Sequence, residues 1–240
     1  MDKPGKDSSV SFYGSKEGND ISVLLECKTV IEKKDFVAAG TLTYAHGDII
    51  EIELPQCGNF DLKESVKIII YTRNGMFVFE TMVVARSDDS LVVINPPENR
   101  RKFVDKREHP RVDVRHQGSL HSIHDRTGLK AMEEPIPLTV SNVSLNGAGF
   151  VLGYDLGVAP GTALAVELDL GFPLAVKAEV VRKVKTEQGF FYGTRFDAVP
   201  AELTNTLRAF VLRKQVEDYF LKKKTARQNE LLEGKTAANG

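Results

Sequence analysis

The seven residues Asp48–Leu54, "DIIEIEL", set the rhythm of the chain. Ile50, Ile52 and Leu54 alternate with Glu51 and Glu53, the period of two that sends successive side chains to opposite faces of a strand. The isoleucines are β-branched and suit a pleated, half-buried surface. The pattern predicts a strand with Ile50, Ile52 and Leu54 on the core and Glu51 and Glu53 as exposed edge carboxylates. Outward from it, "ISVLLECKTV", "AAGTLTYA", "SVKIIIYT", "MFVFETMVVAR" and "SLVVIN" have the same character, punctuated by Gly, Asn, Asp or Pro. Residues 21–98 therefore predict a small β-barrel or sandwich. Residues 1–20, rich in Gly, Ser and Lys, read as a flexible arm.

Adjacent prolines and a charge run in "NPPENRRKFVDKREHP" interrupt the strands, and residues 99–112 read as an interdomain linker. Strand rhythm then resumes in "RVDVRHQGSL", "IPLTVSNVS", "GAGFVLG", "TALAVELDL", "LAVKAEVVRKVK" and "GFFYGTRFD". After Pro200 the period changes: Leu203, Leu207, Phe210, Val211, Val216 and Phe220 fall on a helical stripe. Residues 113–224 predict a second β-domain closed by this helix, with Lys222–Lys224 as its solvated end. Residues 225–240 are polar and read as a flexible tail. The fold class is mainly β, two small β-barrel domains and a C-terminal α-helix.

Composition excludes several functions. No apolar run approaches the roughly 20 residues of a membrane span, and the N-terminus lacks the apolar centre of a secretory signal. Cys27 and Cys57, the two cysteines, lack zinc-ligand spacing and read as reduced cytosolic thiols. His116, His121 and His124 are joined by no cysteine or regularly spaced carboxylate, so no metal is expected. No glycine-rich loop ends in Lys-Ser or Lys-Thr, and no acidic metal-ligand set suggests a phosphodiesterase or cyclase. A net charge of −1 supplies no global field for nucleic acid, and Phe103 alone offers an aromatic ring near the basic segment. Neither an enzyme nor a nucleic-acid binder is expected.

One segment departs from this neutrality. From Arg100 to Arg115 seven positive residues face three negative ones, a surplus of four. Within it, "KREHPRVDV" carries Arg107 and Arg111. Pro110 lacks an amide hydrogen and pushes His109 toward extended geometry, which argues against a helix. Extended residues of equal parity share a face, and four steps of about 3.3 Å set the two Cα atoms roughly 13 Å apart, a span suited to a large anion. Some thirty residues later stands "SNVSLNGAGF", in which Asn142, Ser144 and the Asn146-Gly147 turn dipeptide follow in order. Both residues of that dipeptide tolerate positive φ, so Gly147 is expected to turn the chain.

Arg107-x-x-x-Arg111 followed by Asn142-x-Ser144-x-x-Gly147 resembles the two-part signature of PilZ domains, receptors for the bacterial second messenger cyclic di-GMP. "YGTRFD", Tyr192–Asp197, and the helix after it are similar to the family's last strand and closing helix. The preceding β-domain and charged junction look like the two-domain flagellar-brake type, with a PilZ-associated N-terminal barrel. Arginine forms paired hydrogen bonds to phosphate oxygens or to guanine O6/N7 and stacks on bases, which lysine cannot replace. Arg107 and Arg111 are thus assigned to phosphates and guanine edges without deciding which takes which. Asn142 offers an amide to a guanine edge, and Ser144 a short hydroxyl beside a phosphate. Lys106, Arg100 and Arg101 are either additional phosphate contacts or solvated.

The resemblance implies a ligand switch and no cofactor. Cyclic di-GMP would neutralise the arginines, change the interdomain arrangement and alter the surface shown to a protein partner, a flagellar motor component being one such partner. Motility, biofilm formation and a bacterial cytoplasmic location, with recruitment to the flagellar basal body, belong to that expectation. The alternative is a PilZ-fold interaction module that no longer binds nucleotide. Neither ligand stoichiometry nor the choice between monomer and homodimer is written in the residues.

Overall fold

The computed structural model describes residues 11–14, 25–72, 75–96, 109–125 and 128–237. Two units divide the chain: His109–Lys214, and Met1–Glu108 together with Gln215–Gly240. Each contains a closed antiparallel barrel of six strands, and one long helix follows the strands in the chain. The mainly β class with a C-terminal helix is the one the alternation and the late change of period predict.

In the first unit the strands are β1 (Ser11–Gly14), β2 (Lys28–Lys33), β3 (Phe36–His46), β4 (Ile49–Glu53), β5 (Ser65–Thr72), β6 (Gly75–Arg86) and β7 (Ser90–Ile94). The ring runs β6-β5-β2-β3-β4-β7 and closes through β6–β7, with β1 added to β6. Ser11–Gly14, read from sequence as part of an arm, is thus a strand. Ile31, Leu42, Ile52, Phe60, Ile68 and Val83 fill the interior, each large aliphatic contributing about 1.5–3 kcal/mol by leaving water.

Strand β4 corrects the opening expectation. Ile50 and Ile52 do enter the core, but Ile49 and Glu51 on the opposite face are buried as well. The helix α1 (Ala201–Ala237) supplies the reason. Gln215, Tyr219 and Lys223, spaced by four, share one of its faces and lie in the same unit as β3 and β4. The Gln215 amide donates to Asp48 Oδ2 at 2.6 Å and accepts from the Asp48 N–H at 2.8 Å. The Tyr219 ring sits 4.7 Å from that of Tyr44. Lys223 Nζ reaches Glu51 Oε1 at 2.5 Å, while Thr43 and Ser90 donate to the same carboxylate at 2.6 and 2.7 Å. Burial pushes the Glu51 carboxyl upward, yet hydrogen bonds from Lys223, Thr43, Tyr219 and Ser90 outweigh it and hold the carboxyl below its usual range. Glu51 is therefore no exposed edge carboxylate, and Lys223 no solvated helix end.

The second unit comprises β8 (Val112–Asp125), β9 (Gly128–Ser144), β10 (Gly147–Leu152), β11 (Ala163–Asp169), β12 (Pro173–Thr186) and β13 (Gly189–Phe196). Its ring order is β10-β13-β12-β11-β8-β9. Leu120, Val140, Phe150, Leu164, Leu168 and Tyr192 fill the barrel, and Leu207, Phe210 and Val211 of the first turns of α1 join the same core. The Pro200 carbonyl accepts from the N–H groups of Leu203 and Thr204 at the helix start. Residues 225–237, read from sequence as tail, continue the helix.

The hairpin between β9 and β10 differs from its expected turn. Ser144 pairs with Gly147, so the loop residues are Leu145 and Asn146, and neither Asn146 nor Gly147 has positive φ. Gly147 is needed for a different reason: a Cβ there would lie 2.2 Å from the Thr194 carbonyl oxygen, backbone that cannot swing aside. The Asn146 carbonyl also accepts from the Phe196 N–H at 2.9 Å. The turn is thereby clamped onto β13.

Two stability changes are expected. Lys223→Ala should lower the urea unfolding free energy by about 2–3 kcal/mol, less than the ~3–5 of a wholly buried pair because Thr43 and Ser90 still serve the carboxylate. The stabilisation from the lowered Glu51 pKa is present above its unfolded value and lost as pH falls through the lower folded one, so acid titration of wild type should show it fading there. Gly147→Ala should cost about 2 kcal/mol or more by forcing β10 away from Thr194.

Candidate functional site

The second motif is assembled by strand register. Strands β8 and β9 pair Val112 with Val143 and Asp113 with Asn142. Val112 and Val143 point into the core, whereas Arg111 and Asp113 are exposed. Arg111, immediately before β8, thus stands at the barrel end where Asn142, Ser144 and Gly147 meet. Pro110 beside it is buried and belongs to no helix or strand, followed by Val112 as the first strand residue. Arg107, Lys106, Arg100 and Arg101 lie outside the described residues.

Each motif residue has a distinct environment. Asn142 is half-buried; Ser144 and Gly147 are buried. The Ser144 hydroxyl lies 3.0 Å from Asn146 Oδ1 and 3.2 Å from the Gly147 carbonyl, both acceptors for its single proton. Its visible work is to tie the turn.

Register also reveals a row that no local motif announces. Asp113 pairs with Asn142, Asn142 with Gly149, Gly149 with Gly193, and Gly193 with Arg182. These five residues stand abreast on β8, β9, β10, β13 and β12, and cross-strand partners share a face. That face is the outer one, since Val112, Ala148, Phe150 and Tyr192 beside them are buried inside. Three register shifts flank the row, at Asp113/His116, Gly149/Phe150 and Val180/Arg182. Such bulges bend and twist a strand locally and redirect its side chains.

The two glycines make room for neighbouring side chains. A Cβ on Gly149 would fall 2.5 Å from Phe191 Cζ and 2.7 Å from Asn142 Nδ2, and one on Gly193 would fall 3.0 Å from Arg182 Cγ. Asn142, Phe191 and Arg182 therefore lie low over a floor without side chains. The Arg182 guanidinium stands 5.1 Å from the Phe191 ring centre, a cation–π pair. Sequence reasoning missed Asp113, Gly149, Phe191 and Arg182 as neighbours of Asn142, because only pairing across five strands brings them together.

Behind this face the barrel is pinned by polar contacts. Tyr192 spans the core and its hydroxyl accepts from the Leu156 N–H at 2.8 Å while donating to Asp155 Oδ1 at 3.0 Å. Asp155 is held below the usual carboxylate range, first by the Gly157 N–H and then by Lys183 and Tyr192. Two of the histidines have local partners: His116 meets Phe210 edge-on, and His121 Nε2 lies 2.9 Å from the Ser119 hydroxyl.

Comparison with known proteins places this geometry. Residues 105–213 match the PilZ domain family, a span containing both motifs and all six strands of the second barrel. No curated protein matches the chain. Among solved structures, it is similar to the inhibitor of motility MotI/DgrA of Bacillus subtilis, at 16% identity and TM-score 0.41 over 80% of this chain and 97% of that one. It is also similar to YcgR of Escherichia coli in complex with c-di-GMP, at 12% identity and TM-score 0.40 over 83% and 88%. A third is PlzA of Borreliella burgdorferi in complex with c-di-GMP, at 12% identity and TM-score 0.34 over 84% and 93%. The second unit of this chain, with the arginine motif that leads into it, is a PilZ domain.

Proposed function

We propose that this chain is a cyclic di-GMP receptor, with Arg107, Arg111, Asn142, Ser144 and Gly147 forming the binding site. The observation that carries the reading is the β8–β9 register, which sets Arg111 beside the Asn142–Gly147 turn inside the PilZ match. A doubly anionic cyclic dinucleotide presents phosphate oxygens and guanine edges, and guanidinium forks bind both. Arg111 with Arg107 supplies those forks, Asn142 an amide at a base edge, and the clamped Ser144–Gly147 turn a fixed backbone beside a phosphate. Lys106, Arg100 and Arg101 add positive charge upstream. No bond is made or broken, so the site needs no catalytic group or cofactor.

The boundary between the two units falls between Glu108 and His109, inside Arg107-x-x-x-Arg111. Ligand held by both arginines acts on the junction, changes the interdomain arrangement and so the surface offered to a protein partner. In this reading the protein works in the bacterial cytoplasm on motility or biofilm formation, with a flagellar motor component as partner. One observation favours a second reading, an interaction module without ligand: Ser144 is 1% exposed and its hydroxyl is engaged within the turn.

Calorimetric titration of the full chain with cyclic di-GMP decides between them. Saturable binding in wild type that weakens about a hundredfold or more in Arg111→Ala and in Arg107→Ala, with unchanged thermal melting, is expected from losing a charge-assisted bidentate contact. A flat trace from folded wild-type protein overturns the receptor reading and supports the interaction module.

A further inference from the structure

We infer that Asp113 reads the Watson–Crick edge of guanine and adds to this site's preference for guanine over adenine. This rests on the cyclic di-GMP reading and adds a specificity determinant on the neighbouring strand. Asp113 pairs directly with Asn142 across β8 and β9, is exposed on the outer face, and lies two residues from Arg111. Directly opposed residues in an antiparallel pair hold their Cβ atoms roughly 4.5–5.5 Å apart, so the two side chains leave the outer face side by side, within the span of one base.

The chemistry of the two side chains differs in the required sense. An amide carries one acceptor and one donor group and can turn either toward a base, so Asn142 accommodates guanine or adenine alike. An ionised carboxylate only accepts. The Watson–Crick edge of guanine offers two adjacent donors, N1–H and the N2 amino group, which a carboxylate accepts together. Adenine presents the N1 lone pair instead, which a carboxylate repels. Asn142 alone leaves the Watson–Crick edge unread; Asn142 with Asp113 reads it. On the far side of Asn142, the amide and the Phe191 ring lie in the space that a Cβ on Gly149 would take, so the amide is seated beside an aromatic ring.

A carboxylate placed among arginines that hold two phosphates is otherwise a disadvantage, because it repels the ligand. This gives the test opposite signs. Calorimetry with cyclic di-GMP and cyclic di-AMP is performed on wild type, Asp113→Asn and Asp113→Ala, with thermal melts confirming that the exposed substitutions leave the fold intact. The inference expects both variants to lose affinity for cyclic di-GMP by roughly tenfold to a hundredfold, the size of one good base-edge contact. Affinity for cyclic di-AMP should be unchanged or higher, so the preference narrows. If Asp113 is only a bystander anion, both variants bind both dinucleotides more tightly by the same factor. That result, or an unchanged preference, overturns the inference while leaving the receptor reading in place. Wild type that binds neither dinucleotide overturns the receptor reading itself.

Discussion

The pairing of β8 with β9 in one register is the constraint on which the second unit's surface depends. Val112 and Val143 oppose each other in the core, and the alternation of an antiparallel pair then sends Asp113 and Asn142 outward together. A slip by one residue would carry Asp113 into the barrel and Val112 into water. Farther along, His116 against Val140 and Gly118 against Leu138 continue the pairing after an irregularity. Burial of valines and leucines therefore selects the register that brings together polar groups distant in sequence.

The outer face uses small residues where the inner face uses large ones. Gly149 and Gly193 lie between Asn142 and Arg182 on adjacent strands, and the side chains around them occupy the volume that Cβ atoms would take. Gly147 answers to the same rule through the Thr194 carbonyl. Glycine here costs conformational entropy in a strand, and Phe191 and Arg182 pack into the space it leaves. With the twist at the adjacent bulges, this yields a shallow surface whose polar groups point outward while the barrel beneath remains close-packed.

Much of this was legible in the residues. Period-two runs located the strands, the change after Pro200 located the helix, and the ordered motifs located the PilZ domain. What escaped depended on partners distant in sequence. The alternation in "DIIEIEL" separates two faces but does not say whether anything covers the second, and Glu51 is buried because Tyr219 and Lys223 lie over it. The helical stripe read through Val216 and Phe220 changes phase after Lys214, where Gln215, Tyr219 and Lys223 take over in the first unit. Asn146-Gly147 looks like a turn chosen for positive φ, and the actual demand comes from Thr194, an oxygen no local window contains. Only the β8–β9 register sets Asp113 against Asn142.

The division of α1 between the units also bears on how the chain is made. Lys223 follows Glu51 by 172 positions, so a ribosome delivers every strand of both barrels before the cation that seats this carboxylate. Until then Glu51 has a hydrated, open side, and Tyr44 lacks the ring of Tyr219. The barrel synthesised first is accordingly the one completed last.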